Sequence, residues 1–162
     1  MTAAIADTDI LSTFGKIGSM DLLRLLFQTV HVAPAVYGEL LKAEQVGFSW
    51  VASVKQAVEL VPLTEGESRQ AEQLFTLYPQ LGRGELESFV LAQAHYLLCL
   101  TNDRQAKEVS KALGLPYLDL EEILRALKLR RILTTEALAQ LIEQIKEKDH
   151  TRIKAKEQIL SS

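Results

Sequence analysis

A chain of 162 residues, 48% apolar and 24% charged, is long enough for one domain with a full core and too short for two comfortable ones. Its formal net charge of −3 means that attraction to nucleic acid would need a local basic patch rather than a basic whole. The single cysteine, Cys99, excludes an internal disulfide and a cysteine-rich zinc site, and it suits a reducing cytosol. No basic start with an apolar stretch and a small-residue cleavage site is present, and no segment is apolar for long enough to span a bilayer. The expectation is a cytoplasmic protein with no membrane partner.

In chain order, AAIAD (3–7) reads as a buried strand. MDLLRLLFQ (20–28) has Leu22, Leu23, Leu26 and Phe27 at helical spacing. VHVA (30–33) is the next strand, and Pro34 fits the first turn of a helix carrying Val36, Glu39, Leu40 and Ala43. GFSWVASVKQA (47–57) is expected to hold a short helix with Trp50 packed inward. VELVPL (58–63) is a third strand, and its Pro62 points to an end or edge position.

Thr64 and Glu67 form a capping box for a helix over 65–77, which ends before Pro79. LGRG (81–84) is a turn, ELESFVLAQAHY (85–96) a helix, and LLCLT (97–101) a fourth strand. RQAKEVSKAL (104–113) is a helix closed by Gly114, and LPYLD (115–119) a short fifth strand. Amphipathic helices follow over 120–130 and 135–147. The pattern predicts a single domain over 1–148 and a basic tail over 149–162, which could be a frayed end, a last helix or a docking segment. Strands alternating with helices predict an α/β fold with a parallel sheet covered on both faces, binding its ligand beyond the carboxyl ends of the strands.

Four acids fall where such a sheet would gather them. Asp7 and Asp103 end apolar strands, Glu39 follows the second strand, and Glu85 opens a helix after a turn. A ring of carboxylates is unfavourable unless a cation neutralises it. Hard cations such as Mg²⁺ and Mn²⁺ take oxygen ligands, and with neither cysteine nor a histidine cluster nearby this donor set suits them. Such ions neutralise phosphodiesters and activate water, so phosphodiester cleavage is the chemistry that fits best.

The charge is also uneven. Residues 1–103 carry 6 Lys/Arg against 12 Asp/Glu, whereas residues 104–162 carry 12 against 9, so the candidate ligands lie in the acidic part and the basic part could meet phosphates. Arg104, Lys107 and Lys111 are the candidate backbone contacts, and Arg83, in the turn beside Glu85, could pair with a carboxylate or grip phosphate.

The pieces IADTDIL, VAPAVYGEL, LGRGELESFVLA and LTNDRQA, in that order, resemble the PIN domain family, and more closely the toxin ribonucleases of prokaryotic toxin–antitoxin pairs (the VapC-like proteins). The resemblance covers most of residues 3–118. It implies a three-layer α/β/α fold with a central, mostly parallel five-stranded sheet. It assigns Asp7, Glu39, Glu85 and Asp103 to the catalytic metal set, with Thr101 matching the family's hydroxyl two positions before the last aspartate. It further implies a metal-dependent ribonuclease acting on single-stranded RNA, a homodimer, and a small antitoxin protein that blocks the cleft. Many relatives have a glycine-rich turn after the fifth strand. This chain has LDLEE there, so Asp119 stands as a fifth, supporting carboxylate.

Thr8 is expected either to donate to a neighbouring carboxylate or merely to bridge strand and helix. Asp9 and Glu87 are read as solvated or capping acids rather than supports of the metal set, Asp9 as a cap of a helix starting near Ile10 and Glu87 on another helix face from Glu85. Two other functions compete. One is a PIN-fold module that binds RNA or a protein without cleavage. The other is a phosphatase of the haloacid dehalogenase type, suggested by Asp7-Thr8-Asp9 but lacking the usual Thr or Val at position 11 and an evident later lysine.

Overall fold

The computed structural model describes residues 2–162. Five short strands, β1 (Ala4–Ala6), β2 (Val30–Val32), β3 (Glu59–Leu60), β4 (Leu98–Leu100) and β5 (Tyr117–Leu118), form one sheet in the order β3-β2-β1-β4-β5. Every pairing is parallel, so the sheet is parallel throughout rather than mostly so. β1 is central and every one of its residues is buried, as a strand covered on both faces must be. Pro62 lies just past β3, the edge strand, in keeping with its missing donor.

Between β1 and β2 run α1 (Thr8–Lys16) and α2 (Met20–Leu26), and between β2 and β3 run α3 (Pro34–Gln45) and α4 (Val51–Ala57). The chain then reverses direction across the sheet. It reaches β4 through α5 (Glu65–Leu77) and α6 (Arg83–His95), and β5 through α7 (Arg104–Ala112). Right-handed crossovers place these two sets of helices on opposite faces, which makes the three layers. Of the last helices, α8 (Leu120–Leu129) packs with α2, α9 (Thr135–Asp149) with α1, and α10 (Lys156–Ser161) with α8 and α9.

Local chemistry explains most element boundaries. The Thr64–Glu67 capping box forms as expected, with Thr64 N–H donating to Glu67 Oε1 at 2.8 Å and Glu67 N–H to Thr64 Oγ1 at 3.1 Å. Gly114 takes the left-handed conformation (φ 70°) that ends α7.

Several boundaries differ from the periodicity. α2 stops at Leu26, and Phe27, expected inside the helix, is extended at its C-cap. α6 starts two residues early, at Arg83, so Glu85 is its third residue rather than its first. α1 starts at Thr8, not near Ile10, so Asp9 lies inside the helix. Trp50 is half-buried just before α4.

The end of the chain is a packed helix rather than a frayed one. Ile159 is fully buried, and the Lys128 ammonium donates to the Leu160 carbonyl.

Candidate metal centre

The sheet's connections reverse at β1 and β4, and the crevice beyond their carboxyl ends holds a pocket of about 210 Å³. Asp7, Glu39, Glu85 and Asp103 all line it, joined by Thr8 and Asp9. The four acids that sequence spacing singled out therefore share one pocket although they come from β1's end, α3, α6 and α7's cap.

Each is held by its local element. Asp7 prolongs β1, its N–H donating to the Leu100 carbonyl of β4 at 3.0 Å, and the residue is only 6% exposed. Asp103 caps α7, with Oδ2 accepting from Ala106 N–H at 2.8 Å, while Thr101 Oγ1 accepts the Asp103 N–H at 3.3 Å. Glu39 accepts a hydrogen bond from the Thr8 hydroxyl. Glu85 accepts from Gly82 N–H at 3.4 Å, at the start of its own helix.

The α3–α6 contact sets the spacing of Glu39 and Glu85. A Cβ on Gly84 would lie 2.8 Å from Val36 Cγ2 and 3.6 Å from Glu39 Oε1, so only glycine lets the two helices come this close. Glu87, expected to be a solvated or capping acid, is buried and acts as a cap, on α3 rather than on its own helix. Its Oε1 accepts from Ala35 N–H at 2.8 Å, and Arg83 pairs with it at 3.4 Å.

The electrostatics are those of crowded acids. Burial raises Asp7 well above the usual carboxylate range, the charges of Asp9 and Glu85 add to this, and the Thr101 and Ser88 hydroxyls pull it partly back. Glu85 is pushed up to about 7, first by burial and then by Asp103, with Asp9 and Glu39 contributing. Asp9 is raised too, chiefly by the protein around its carboxylate, although the residue as a whole is exposed at the pocket mouth.

Asp7 Oδ2 is buried with no hydrogen-bond partner. An orphaned carboxylate oxygen on a residue that lines a pocket of further carboxylates fits a hard divalent cation. The carboxylates line the pocket without closing on one point, however. Among the described residues, no three Asp, Glu, His or Cys side chains already stand at coordination geometry. The acids surround a hollow, an arrangement in which Mg²⁺ would take one or two carboxylates and keep several waters.

The other sequence candidates fall elsewhere. Asp119 does not reach the pocket, because it caps α8 (accepting from Glu122 N–H at 2.9 Å) and pairs with Lys107 at 3.2 Å. This corrects its expected place as a fifth carboxylate. Arg83 is engaged with Glu72 at 2.5 Å as well as with Glu87, rather than with a pocket acid. Arg104 is exposed and only distantly paired with Glu108, at 3.9 Å, and Lys111 is exposed on the same helix. Cys99 is buried, its thiol pushed up to about 12 by burial and by Asp7, which leaves it a small hydrophobe.

Asp9 is the pocket residue that sequence reasoning misplaced. Its signal was the Asp7-x-Asp9 spacing, and the two-residue shift in the start of α1 changes what that spacing means.

A family model described as a PIN domain matches residues 3–161 of this chain. No curated protein matches it by sequence. Among solved structures, the chain is similar to one in the crystal structure of VapBC2 from Rickettsia felis bound to a DNA fragment from their promoter. The identity is 16% and the TM-score 0.58, covering 73% of this chain and 98% of that one, a likeness of fold.

Proposed function

The chain belongs to the PIN domain family, and on that premise we propose that it is a metal-dependent ribonuclease that cleaves phosphodiester bonds of single-stranded RNA. PIN domains are generally nucleases, and membership displaces the phosphatase reading of Asp7-Thr8-Asp9. The observation that carries the proposal is that Asp7, whose buried Oδ2 has no hydrogen-bond partner, lines one pocket with Glu39, Glu85 and Asp103.

In this reading Asp7, Glu39, Glu85 and Asp103 would hold Mg²⁺ or Mn²⁺ between them, one or two directly and the others through the ion's waters. When bound, such a cation neutralises phosphodiester charge and activates water. The chain's own groups orient the site. Thr8 fixes the rotamer of Glu39, Thr101 fixes the backbone of Asp103, and the Gly82 N–H steadies Glu85. Glu85, raised to about 7, can take up or release a proton near neutral pH. Arg104 and Lys111, exposed on α7, remain candidates for phosphate contact, whereas Lys107 must first be shared with Asp119.

The proposal extends to a small antitoxin that occludes the cleft and to a homodimer. The support is the similarity to a VapBC2 chain, together with exposed apolar side chains such as Phe48, Phe75, Leu77 and Tyr96 that a partner could cover.

The test is cleavage of single-stranded RNA by the purified chain in Mg²⁺ or Mn²⁺, stopped by chelator and lost in Asp103→Asn. Tight RNA or protein binding with no turnover in either metal would favour the silent binding module instead.

A further inference from the structure

The functional edge of the sheet continues past Asp103. Asn102 joins two hollows. Its backbone N–H donates to Asp9 Oδ2 at 3.2 Å on the acidic side, and its side-chain Oδ1 accepts from Leu120 N–H at 3.3 Å on the other. On that other side lies a hollow of about 310 Å³, whose lining includes Asn102, Lys107, Arg152 and Lys154. A further hollow of about 260 Å³ shares Arg152 and Lys154 and adds Lys146 and Lys156.

The wall common to both hollows is Arg152, Ile153 and Lys154, within the segment 151–156. This segment leaves α9 at His150, which is left-handed (φ 57°), and it is firmly anchored. Asp149 accepts from Thr13 at 2.7 Å, Lys16 at 2.9 Å and Thr151 at 2.7 Å. Glu121 Oε2 accepts from Ala155 N–H at 2.7 Å, and Ile153 is buried. With Ile153 turned inward, Arg152 and Lys154 on either side are exposed, and neither makes an ion pair among the described residues.

The nearby acids are partly committed. Asp119 serves α8 and Lys107, Glu121 serves Ala155, and Glu143 and Glu157 lie in the far hollow with Lys146 and Lys156. Two free cations on a rigid wall thus stand next to a pocket whose own charge is negative.

We propose that this segment is the second wall of the substrate groove, with Arg152 and Lys154 gripping phosphates that flank the bond to be cut. The proposal rests on the ribonuclease reading and assigns the substrate grip to a part of the chain outside the four acid-bearing pieces. An RNA strand brings phosphates on both sides of the reacting one. A carboxylate pocket repels those phosphates, so they need cations placed beside it rather than in it. Lys107, at the boundary, would exchange part of its pairing with Asp119 for phosphate.

The experiment measures binding of a labelled single-stranded oligoribonucleotide to the full chain in chelator, where no cutting proceeds, as a function of salt. Arg152→Ala/Lys154→Ala should bind more weakly and lower the log–log salt slope by about 1.4, the contribution of two phosphates on a single strand. Arg69→Ala/Lys148→Ala, which removes the same charge from exposed residues outside both hollows, should leave the slope unchanged, and both variants should melt like the parent. Equal slopes for the Arg152/Lys154 variant and the parent would overturn this inference alone and leave the ribonuclease reading to its own cleavage test. A parent chain with no salt-dependent RNA binding would overturn both.

Discussion

The backbone N–H of Ala35 donates to Glu87 Oε1 at 2.8 Å, so an acid on α6 closes the N-terminus of α3. The first N–H groups of a helix have no partner within it, and a negative group there also meets the positive end of the helix dipole. The consequence reaches the pocket, because α3 carries Glu39 and α6 carries Glu85. Glu87 joins the two helices without entering the pocket itself. Glu87→Ala should therefore cost about 1–3 kcal/mol, the usual cost of leaving a buried donor unmet. Glu87→Gln keeps an acceptor and should cost less. Denaturant unfolding of the two variants compares them, and equal losses would show that the Ala35 bond is not what Glu87 supplies.

Gly84 makes the complementary point by steric means. A methyl group there would sit 2.8 Å from Val36 Cγ2, on a β-branched side chain that cannot swing aside freely. Gly84→Ala is expected to destabilise by about 1–3 kcal/mol, as overpacking does. It should also weaken Mg²⁺ or Mn²⁺ binding by moving Glu39 away from Glu85. In a Val36→Ala background the same change should cost less, and a double-mutant cycle measures that coupling. Additive costs would place the strain elsewhere.

Metal and pH should act against each other. Glu85 moves from an ordinary 4.5 to about 7 on folding, so between those values the folded chain holds a proton that the unfolded chain has released. Its contribution to metal-free stability is full below 4.5 and is lost as pH rises toward about 7. Asp7, raised well above 3.8, acts in the same direction. A divalent cation binds the ionised form, so it should raise the melting temperature, and more so above pH 7 than below it. Thermal melts with Mg²⁺, Mn²⁺ and chelator across that range decide the point. Identical melts at every pH would remove the basis for a metal site.

Asp7→Asn separates function from stability. Asp7 Oδ2 has no hydrogen-bond partner, so the ionised group is a burden on the metal-free fold. The neutral amide should leave the chain folded, make its metal-free melting temperature less dependent on pH, and abolish metal-dependent RNA cleavage. Cleavage that survives the substitution would exclude Asp7 from the site.

Much of this arrangement was legible in the sequence, for identifiable reasons. Asp7 and Asp103 each end an apolar run, and a parallel sheet leaves such residues on one edge whatever the strand order. Glu39 and Glu85 are on helices, where periodicity alone does not say which face meets the pocket; their places after the second strand and after a turn point to the same edge, and the family resemblance adds its weight to that. Asp9 was misplaced because a carboxylate near a helix start reads as a cap, and a two-residue shift in that start puts it in the first turn of α1 instead. Asp119 erred the other way, since it is the cap, and Lys107 occupies its remaining oxygen. The Arg83–Glu72 pair is not legible because Glu72 approaches from another helix and no local pattern encodes that contact, whereas Glu87 stands at the i+4 helical spacing. The basic tail was ambiguous for the same reason, its anchor lying more than a hundred residues away at Thr13 and Lys16.

That anchor offers the last prediction. Burial pushes Asp149 up, but Lys16, Thr151 and Thr13 outweigh it and hold its carboxyl below the usual range. A carboxylate depressed on folding contributes stability that is present above its unfolded value of 3.8 and is lost as pH falls through the lower folded one. The group thus strengthens the fold at neutral pH, where Glu85 and Asp7 weaken it. Asp149→Ala should destabilise the neutral-pH protein by about 1.5–3 kcal/mol, the range for hydrogen bonds to a charged group, and Lys16 can recover part of this by turning to water. The loss should shrink on acidification, because the parent then surrenders the same bonds. Since Asp149 also fixes Thr151 at the head of the Arg152–Lys154 segment, the variant should bind single-stranded RNA more weakly even where it remains fully folded. Denaturant unfolding at neutral and acid pH, paired with RNA binding at low denaturant-free temperature, measures both effects. A variant that loses stability but binds RNA like the parent would show that the segment keeps its place without the Asp149 anchor.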